Sequence, residues 1–405
     1  MQNIWCPLNC FLDLTCVEKS FIIPIMIRAH KIRLVPTVRQ RIMLARTAGT
    51  TRYVYNWGLA EWNKQYEAHK ADSTLARPNH LILSRQWTVE RPEWSREVNR
   101  GSQTQSLKNL GTAFGNFFKG HAKHPVFKKK GGKQTFYVDN TKASIKGNHI
   151  SLPKIGKVKM REPLRFEGVV RSYTVSHIAG QWSASVQVEM PEQVCTLNHS
   201  VVGVDVGINR IAVASDGSEC LNPRALRKAQ KKLRRKQRRL ARQCKGSTRR
   251  KKTKLAISKT HLKISNVRSD IIHKFTSGLS KNHGKAVIET LSIEDMKGDK
   301  YMNRLLQDTA MREVHRQLEY KMETIKAPKY FPSSKRCSCC GHVKIVLPCS
   351  VRMYKCHKCN SLIDRDLNAS YNLRNMPWVT GFMHGKGAPA PMHREVEPAT
   401  CSHTI

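Results

Sequence analysis

Along the first third of the chain the buried-type positions recur at helical intervals. Leu44, Ala48, Thr51, Tyr55, Leu59, Trp62 and Tyr66 fall three or four residues apart, which predicts one face of a long helix. Just ahead, PTVRQ places Thr37 and Gln40 at capping-box spacing, so the helix is expected to start there. Before that, IRAHKIRLV, residues 27–35, reads as a short strand. A second helix is predicted by Leu107, Leu110, Phe114 and Phe118, ending near Gly120. Such stripes pack interiors more often than they bind ligands, with Tyr53 and Trp57 as the aromatics able to stack on bases.

From HPVFKKKGGK onward the period falls to two. QTFYV, HISLP, GKVKM and the pair VVRSYTVSH and QWSASVQVEM, joined by a turn at Ala179 and Gly180, predict a β-meander or small barrel. A helical segment therefore interrupts a β-domain. VVGVDVGINRIAVASDGS, residues 201–218, reads as a buried strand, a glycine turn, a second strand and a DGS turn. KAVIETLSI, residues 285–293, is another buried strand, followed by a helix through TAMREVHRQLEYKM. Residues 1–25, where Pro24 breaks the apolar run FIIPIMI, read as an N-terminal extension, and residues 376–405 as a disordered tail.

Between these strands lies a different pattern. From Arg224 to Lys254 there are 17 Lys or Arg and no acid, with Leu226, Leu233 and Leu240 at heptad spacing. Beyond CKGSTRR, a second stripe runs through Ile257, Ile264, Val267, Ile271 and Phe275. The two predict an antiparallel helical hairpin, residues 223–281, with narrow apolar seams and a cationic exterior. The whole chain shares this bias: 405 residues carry a net charge of +43 and a pI near 10.2, which calls for a polyanion partner. Phosphate contacts are expected from Lys128, Lys129 and Lys130 and from Arg227, Lys231, Arg234, Arg235, Arg238 and Arg242. No apolar run approaches the roughly 20 residues of a spanning helix, so no membrane partner is expected. Of 13 cysteines, an odd count, six fall between 337 and 359, a metal-site distribution suited to a reducing, cytoplasmic and nucleoid-associated setting.

Cys337, Cys340, Cys356 and Cys359 form C-x2-C-x15-C-x2-C, the spacing of tetrahedral zinc. Gly341 and Asn360 follow the two knuckles and can take positive φ; Cys339, Cys349, His342 and His357 lack the paired spacing and read as bystanders. Four thiolates leave no open position, so this zinc would be structural. Hard-ion chemistry falls instead to three acids: Asp205 inside VVGVD, Glu289 at the end of KAVIE, and Asp366 in DRDLNAS. Acids placed in separate apolar strands are costly without compensation and point to a shared cation. Carboxylates of that kind bind Mg2+, and two ions about 3.5–4 Å apart would support phosphodiester hydrolysis. Each acid has a plainer role open to it: Asp364 is placed as an N-cap, Asp366 complements a helix dipole, and Glu294 rivals Glu289.

In this order GVDVGINRIAVASDG, AVIETLSIEDM, FPSSKRCSCCGHVK, YKCHKCN and DRDLNAS resemble the TnpB/OrfB proteins of insertion sequences, relatives of the type V CRISPR effectors. The likeness runs from about Ile27 to Asn375 and includes RYVYNWGLAEW, NLGTAFGNFFKG and HRQLEYK. The resemblance implies a multidomain α+β fold. Its parts would be a β-barrel-like wedge domain (26–37 and 126–198), an inserted helix-turn-helix-like recognition segment (38–125), a ribonuclease-H-like RuvC nuclease domain (199–330), an inserted zinc ribbon (331–362), and the last RuvC motif with its helix (363–375). It implies a Mg2+-dependent, RNA-guided DNA endonuclease of the transposase-associated kind, with Asp205, Glu289 and Asp366 as its acidic triad. A transposon-derived guide RNA and target DNA would be the partners, pairing doing most of the reading. Two departures stand out: Thr290 replaces a frequent Asp, and METIKAPKY is short, with Pro328 where a strand is expected. A sheet damaged there would leave a catalytically inactive RNA-guided DNA binder; a guide-independent zinc-ribbon DNA-binding accessory to transposition is the third reading.

Overall fold

The computed structural model describes residues 25–191, 200–291, 296, 298, 300–348 and 350–376. They fall into two compact units, divided between residues 193 and 194.

In the first unit β1 (Ile25–Val35) leads into α1 (Val38–Ala71). Ile25 pairs with Pro191, so the strand reaches one residue into the stretch assigned to the extension, whose other residues lie outside those described. The Thr37 hydroxyl accepts from the Gln40 amide and the Gln40 side chain accepts from the Thr37 amide, completing the expected capping box. α1 runs unbroken for 34 residues and buries Leu44, Ala48, Thr51, Tyr55, Leu59 and Trp62. Two further helices, α2 (His80–Glu90) and α3 (Arg100–Phe118), close a core of Val54, Leu59, Leu83, Trp87, Leu107, Leu110 and Phe114. A 3-10 turn, Glu93–Glu97, links them.

Six strands follow: β2 (Gln134–Asp139), β3 (Ser144–Lys146), β4 (His149–Leu152), β5 (Gly156–Met160), β6 (Val169–Ile178) and β7 (Gln181–Pro191). With β1 they make one antiparallel sheet in the order β2-β6-β7-β1-β5-β4-β3. β1 is the hinge of this sheet, pairing with β7 up to Arg33 and with β5 through Leu34 and Val35. β7 shows why period two was legible: Trp182, Ala184, Val186 and Val188 are buried, packing with Ile32, Leu34, Phe136, Tyr173 and Val175. The β6–β7 turn places Ala179 and Gly180 at φ 52° and 78°, the two positive values of a tight hairpin.

The second unit opens with β8 (Val201–Val206), β9 (Arg210–Ala214) and β10 (Glu219–Leu221), then the hairpin α4 (Ala225–Ala241) and α5 (Thr248–Asn282). After β11 (Lys285–Ile288) come α6 (Lys300–Thr309), α7 (Met311–Lys321) and β12 (Glu323–Lys326). A small hairpin, β13 (Met353–Lys355) and β14 (Leu362–Asp364), precedes α8 (Arg365–Arg374). The five-stranded sheet has the order β10-β9-β8-β11-β12, its first three strands antiparallel and β8, β11 and β12 parallel. Val202, Val204, Ile211, Ala212, Ala286 and Ile288 pack its core against Ile272, Val314 and Leu318.

Two expectations are corrected here. The strand expected to fail at Pro328 forms earlier: Glu323 to Lys326 pair in register with Lys285 to Ile288, and Pro328 falls after the last ladder position. The exit is tied down, since the Thr290 hydroxyl donates to the Ala327 carbonyl at 2.5 Å. Met376, assigned to the tail, is buried against Val287, Ala327 and Leu373; the rest of that tail lies outside the described residues.

Candidate functional site

The site is built on two neighbouring parallel strands. Val204 on β8 faces Ile288 on β11 in register, so the next residues along, Asp205 and Glu289, stand side by side at the carboxyl ends of both strands. That edge is where α/β sheets open a crevice for ligands. The Val206 backbone N–H donates to the Glu289 carboxylate and holds it beside β8. Glu294, the rival acid, lies outside the described residues.

α8 delivers the third acid. It crosses β8 over Gly203, where any Cβ would strike the Ser370 carbonyl oxygen and come within 2.6 Å of the Arg374 nitrogen. Asp366 lies one helical turn before Ser370, and Asp205 lies two strand residues after Gly203. Those steps are similar, about 6 Å along a helix and about 6.5 Å along a strand, which brings Asp366 toward the Asp205 end of β8, although the three acids are not drawn as close together as the four cysteine sulfurs are. The field records it: burial raises the Asp205 pKa well above the usual carboxylate range, and Glu289 and Asp366 raise it further, with Arg365 and Arg210 opposing. Glu289 is pushed up to about 7, mainly by burial, while the Val206 amide opposes the shift.

Arg210, at the start of β9, is the site residue that sequence reasoning missed. Its Nη2 donates to Asp364 at 2.6 Å and to Asp366 at 2.7 Å, its Nε to Asp366 at 3.2 Å, and its Nη1 to Glu219 at 2.8 Å. Burial works against the Arg210 charge, but these hydrogen bonds outweigh it and raise the pKa. Asp364 also caps α8 as expected, accepting from the Asp366 and Leu367 amides at 3.0 and 3.1 Å. The available signal was a lone arginine in GINRIAVAS, whose partners lie some 150 positions away by hydrogen bonds spanning 154 and 156 residues.

The four cysteines come together as predicted. Among the described residues they are the one group of three or more possible metal ligands whose donor atoms all lie within 4.8 Å of one another. Sulfur separations are 3.7 Å for Cys337 to Cys359 and 3.5 Å for Cys340 to Cys356. A tetrahedron of thiolates about 2.3 Å from zinc has edges of about 3.8 Å, so this donor set fits the ion. Gly341 and Asn360 take φ of 75° and 53°. Ser361 contacts the Cys337 and Cys359 sulfurs at 3.4 and 3.3 Å, and its hydroxyl and backbone amide lower the Cys359 pKa to about 6. Cys339, His342 and His357 are exposed outside the group, and Cys349 is not among the described residues. The cluster is tied to the helix that carries Asp366: Asn368 accepts from the Ser338 amide at 2.9 Å and donates to the Arg336 carbonyl at 2.7 Å, and Asn372 donates to the Ser333 and Arg336 carbonyls.

The cationic hairpin of α4 and α5 forms, but its second stripe does not lie wholly in the seam: Ile271 and Phe275 pack on the core of the five-stranded sheet. Leu233 and Ile264 are buried in its seam, while Arg227, Lys231, Arg234, Arg235, Arg238 and Arg242 are all exposed. Two basic residues fasten it: Lys236 donates to the Ala256 carbonyl at 2.9 Å, and Arg250 caps the end of α4 through the Leu240 and Gln243 carbonyls. In the first unit Lys129 and Lys130 are exposed. Lys128 is exposed too, but its ammonium stands 3.4 Å over the Tyr55 ring and Asn56 holds its backbone on both sides. No helix among the described residues is long and apolar enough to cross a membrane.

Residues 184–299 match the OrfB family of IS605 elements, described as "Probable transposase". Residues 26–71 match its helix-turn-helix domain, although here they are one strand and one unbroken helix. Residues 312–373, which hold the cysteines and most of α8, match the Cas12f1-like TNB domain. The chain is 32% identical over 371 residues to "Putative RNA-guided DNA endonuclease InsQ" of Escherichia coli K12, covering 86% of this chain and 91% of that protein. It is 30% identical over 357 residues to a "Putative RNA-guided DNA endonuclease" of Streptomyces pristinaespiralis, covering 85% and 88%. Among solved structures, one described as the mini-RNA-guided endonuclease CRISPR-Cas_phi3 aligns with a TM-score of 0.44 at 9% identity, covering 86% of this chain and 92% of that one. With this identity sustained across so much of its length, the chain belongs to the TnpB/OrfB family of insertion-sequence proteins.

Proposed function

We propose that this protein is an RNA-guided DNA endonuclease in which Asp205, Glu289 and Asp366 hold the divalent cations of a RuvC-type site. The observation that carries the reading is the register pairing Val204 with Ile288, which sets two acids abreast and leaves α8 to bring the third. Burial disfavours the ionised forms of both Asp205 and Glu289, and Glu289 and Asp366 add to the shift at Asp205, a setting that a divalent cation would relieve. Bound Mg2+, as a pair of ions, would polarise the phosphodiester and make water nucleophilic near neutral pH.

The protein's own groups have separate tasks. Burial disfavours the ionised forms of Asp205 and Glu289, and a bound cation would favour them. Arg210 restrains Asp366 and Asp364. The cysteines would hold a structural zinc that fixes the α8 end of the site. The α4–α5 hairpin would grip phosphates, and a transposon-derived guide would read the target by pairing. In this reading residues 26–37 and 126–198 form the wedge, 38–125 the recognition segment, 199–330 with 363–375 the nuclease, and 331–362 the zinc ribbon, in a cytoplasmic, nucleoid-associated protein. The β11–β12 ladder, paired in register through Lys326, supports this reading over that of a catalytically inactive RNA-guided DNA binder.

Sequencing the RNA that copurifies with the protein and then exchanging its guide portion tests the assignment. The cut site in a plasmid should move to the sequence matching the new guide. Cutting that ignores the exchange would refute RNA guidance.

A further inference from the structure

A cleft of about 400 Å³ in the first unit, lined by Arg46, Gly49, Thr50, Trp94, Glu97 and Val98, has no task in the reading above. Its α1 residues, Arg46, Gly49 and Thr50, lie in the first half of that helix. Gly49 there costs helix stability, yet packing does not require it: a Cβ would find only the Arg52 Nη2, at 4.0 Å. Gly49 leaves the helix backbone open to a group from outside the chain, as Gly115 on α3 and Gly278 on α5 also do, so the case rests on what surrounds it.

The walls say what that group is. Trp94, which lines the cleft, and Tyr53 beside it are 48% and 45% exposed, although both carry large rings, and they meet edge to face at 5.2 Å. Tyr53 in turn leans on buried Trp87, which steadies the pair from beneath. Arg46, paired with Glu97 at 2.8 Å, stands at the cleft, and the Arg52 guanidinium lies beside Gly49. An aromatic face, two guanidinium groups and a carboxylate acceptor around a bare stretch of backbone match the parts of one nucleotide: base, phosphate, and exocyclic amino or ribose hydroxyl.

We propose that this cleft seats a single unpaired nucleotide, its base stacked on Trp94 and its phosphate held by the arginines, over Gly49. The proposal rests on the nucleic-acid-binding part of the function above, not on cutting. RNA and DNA share this chemistry, and the test separates them.

Fluorescence anisotropy with the full-length protein carrying Asp205→Ala would use short unstructured RNA and DNA strands of one sequence and a DNA duplex. Trp94→Ala and Gly49→Gln should each weaken binding of at least one single strand roughly tenfold, the effect of one lost base stack. Trp94→Phe should keep most of the affinity, and duplex binding should not change. Gly49→Gln should also raise the melting temperature, because glutamine favours helix, so its loss of binding would not reflect misfolding. Loss with RNA alone would assign the site to the guide, and loss with DNA alone to a displaced strand; either supports the seat. Unchanged single-strand affinity in both variants, or equal weakening on duplex, would overturn it. Wild-type protein that bound neither strand would overturn the underlying reading, a result distinct from binding that the variants leave intact.

Discussion

Glu289 carries the clearest pH signature in the molecule. Its pKa stands near 7 in the folded protein, above the usual 4.5, and Asp205 shifts the same way. Glu289 therefore binds more proton in the folded than in the unfolded state between those values, so without a divalent cation its contribution to stability should fall as pH rises from about 4.5 to 7, with Asp205 adding a fall of the same sign. Glu289→Gln removes the ionisation while keeping the shape. It should raise the metal-free stability at pH 8 by about 1–3 kcal/mol and flatten the pH profile of urea midpoints, while abolishing DNA cutting. A profile as steep as wild type would mean that Glu289 is not the shifted group. Much of this was legible beforehand, because an acid ending the apolar run KAVIE has little reason to be there without a cation. Arg210 was not: its charge is satisfied by Asp364, Asp366 and Glu219, and nothing local to GINRIA announces partners brought in by folding.

At the scale of elements, the contact between β8 and α8 decides whether three acids share one place. Gly203→Ala puts a methyl group into the α8 backbone. The strain should cost about 1–3 kcal/mol and displace Asp366, so thermal stability and cutting should fall together while RNA binding persists. Full cutting by that variant would show that α8 need not lie so close. The cysteine cluster acts on the same helix from its other side. Removing zinc with a strong chelator should increase amide exchange in residues 335–345 and through Asn368 and Asn372, which bind the cluster's loop. Exchange unchanged at α8 would separate the two features. Sequence pattern exposed elements in proportion to their periodicity. The α1 stripe and the alternation of β7 were unmistakable, whereas α2 buries only Leu83 and Trp87, too few positions to set a period. Pro328 misled because proline interrupts a ladder, yet here the ladder ends at Lys326.

For the whole molecule the governing quantity is a net charge of +43. Affinity for nucleic acid should fall steeply with salt, and each phosphate contact removed should reduce the log–log slope by about 0.9 on duplex DNA. Replacing Arg234, Arg235 and Arg238 with glutamine should lower that slope by two to three such contacts, since all three are exposed on α4. An unchanged slope would mean the hairpin faces solvent in the complex. Composition and seam spacing made this arm legible, because 17 Lys or Arg with no acid between Arg224 and Lys254 call for a polyanion.

The most direct test of the central claim is cleavage of a guide-matched DNA target in Mg2+ by the wild-type ribonucleoprotein and by Asp205→Ala, Glu289→Ala and Asp366→Ala, each shown to retain its RNA. The account predicts that wild type cuts, that EDTA stops it, and that each substitution removes cutting by at least about a hundredfold while target binding continues. Undiminished cutting by any one of the three would contradict it.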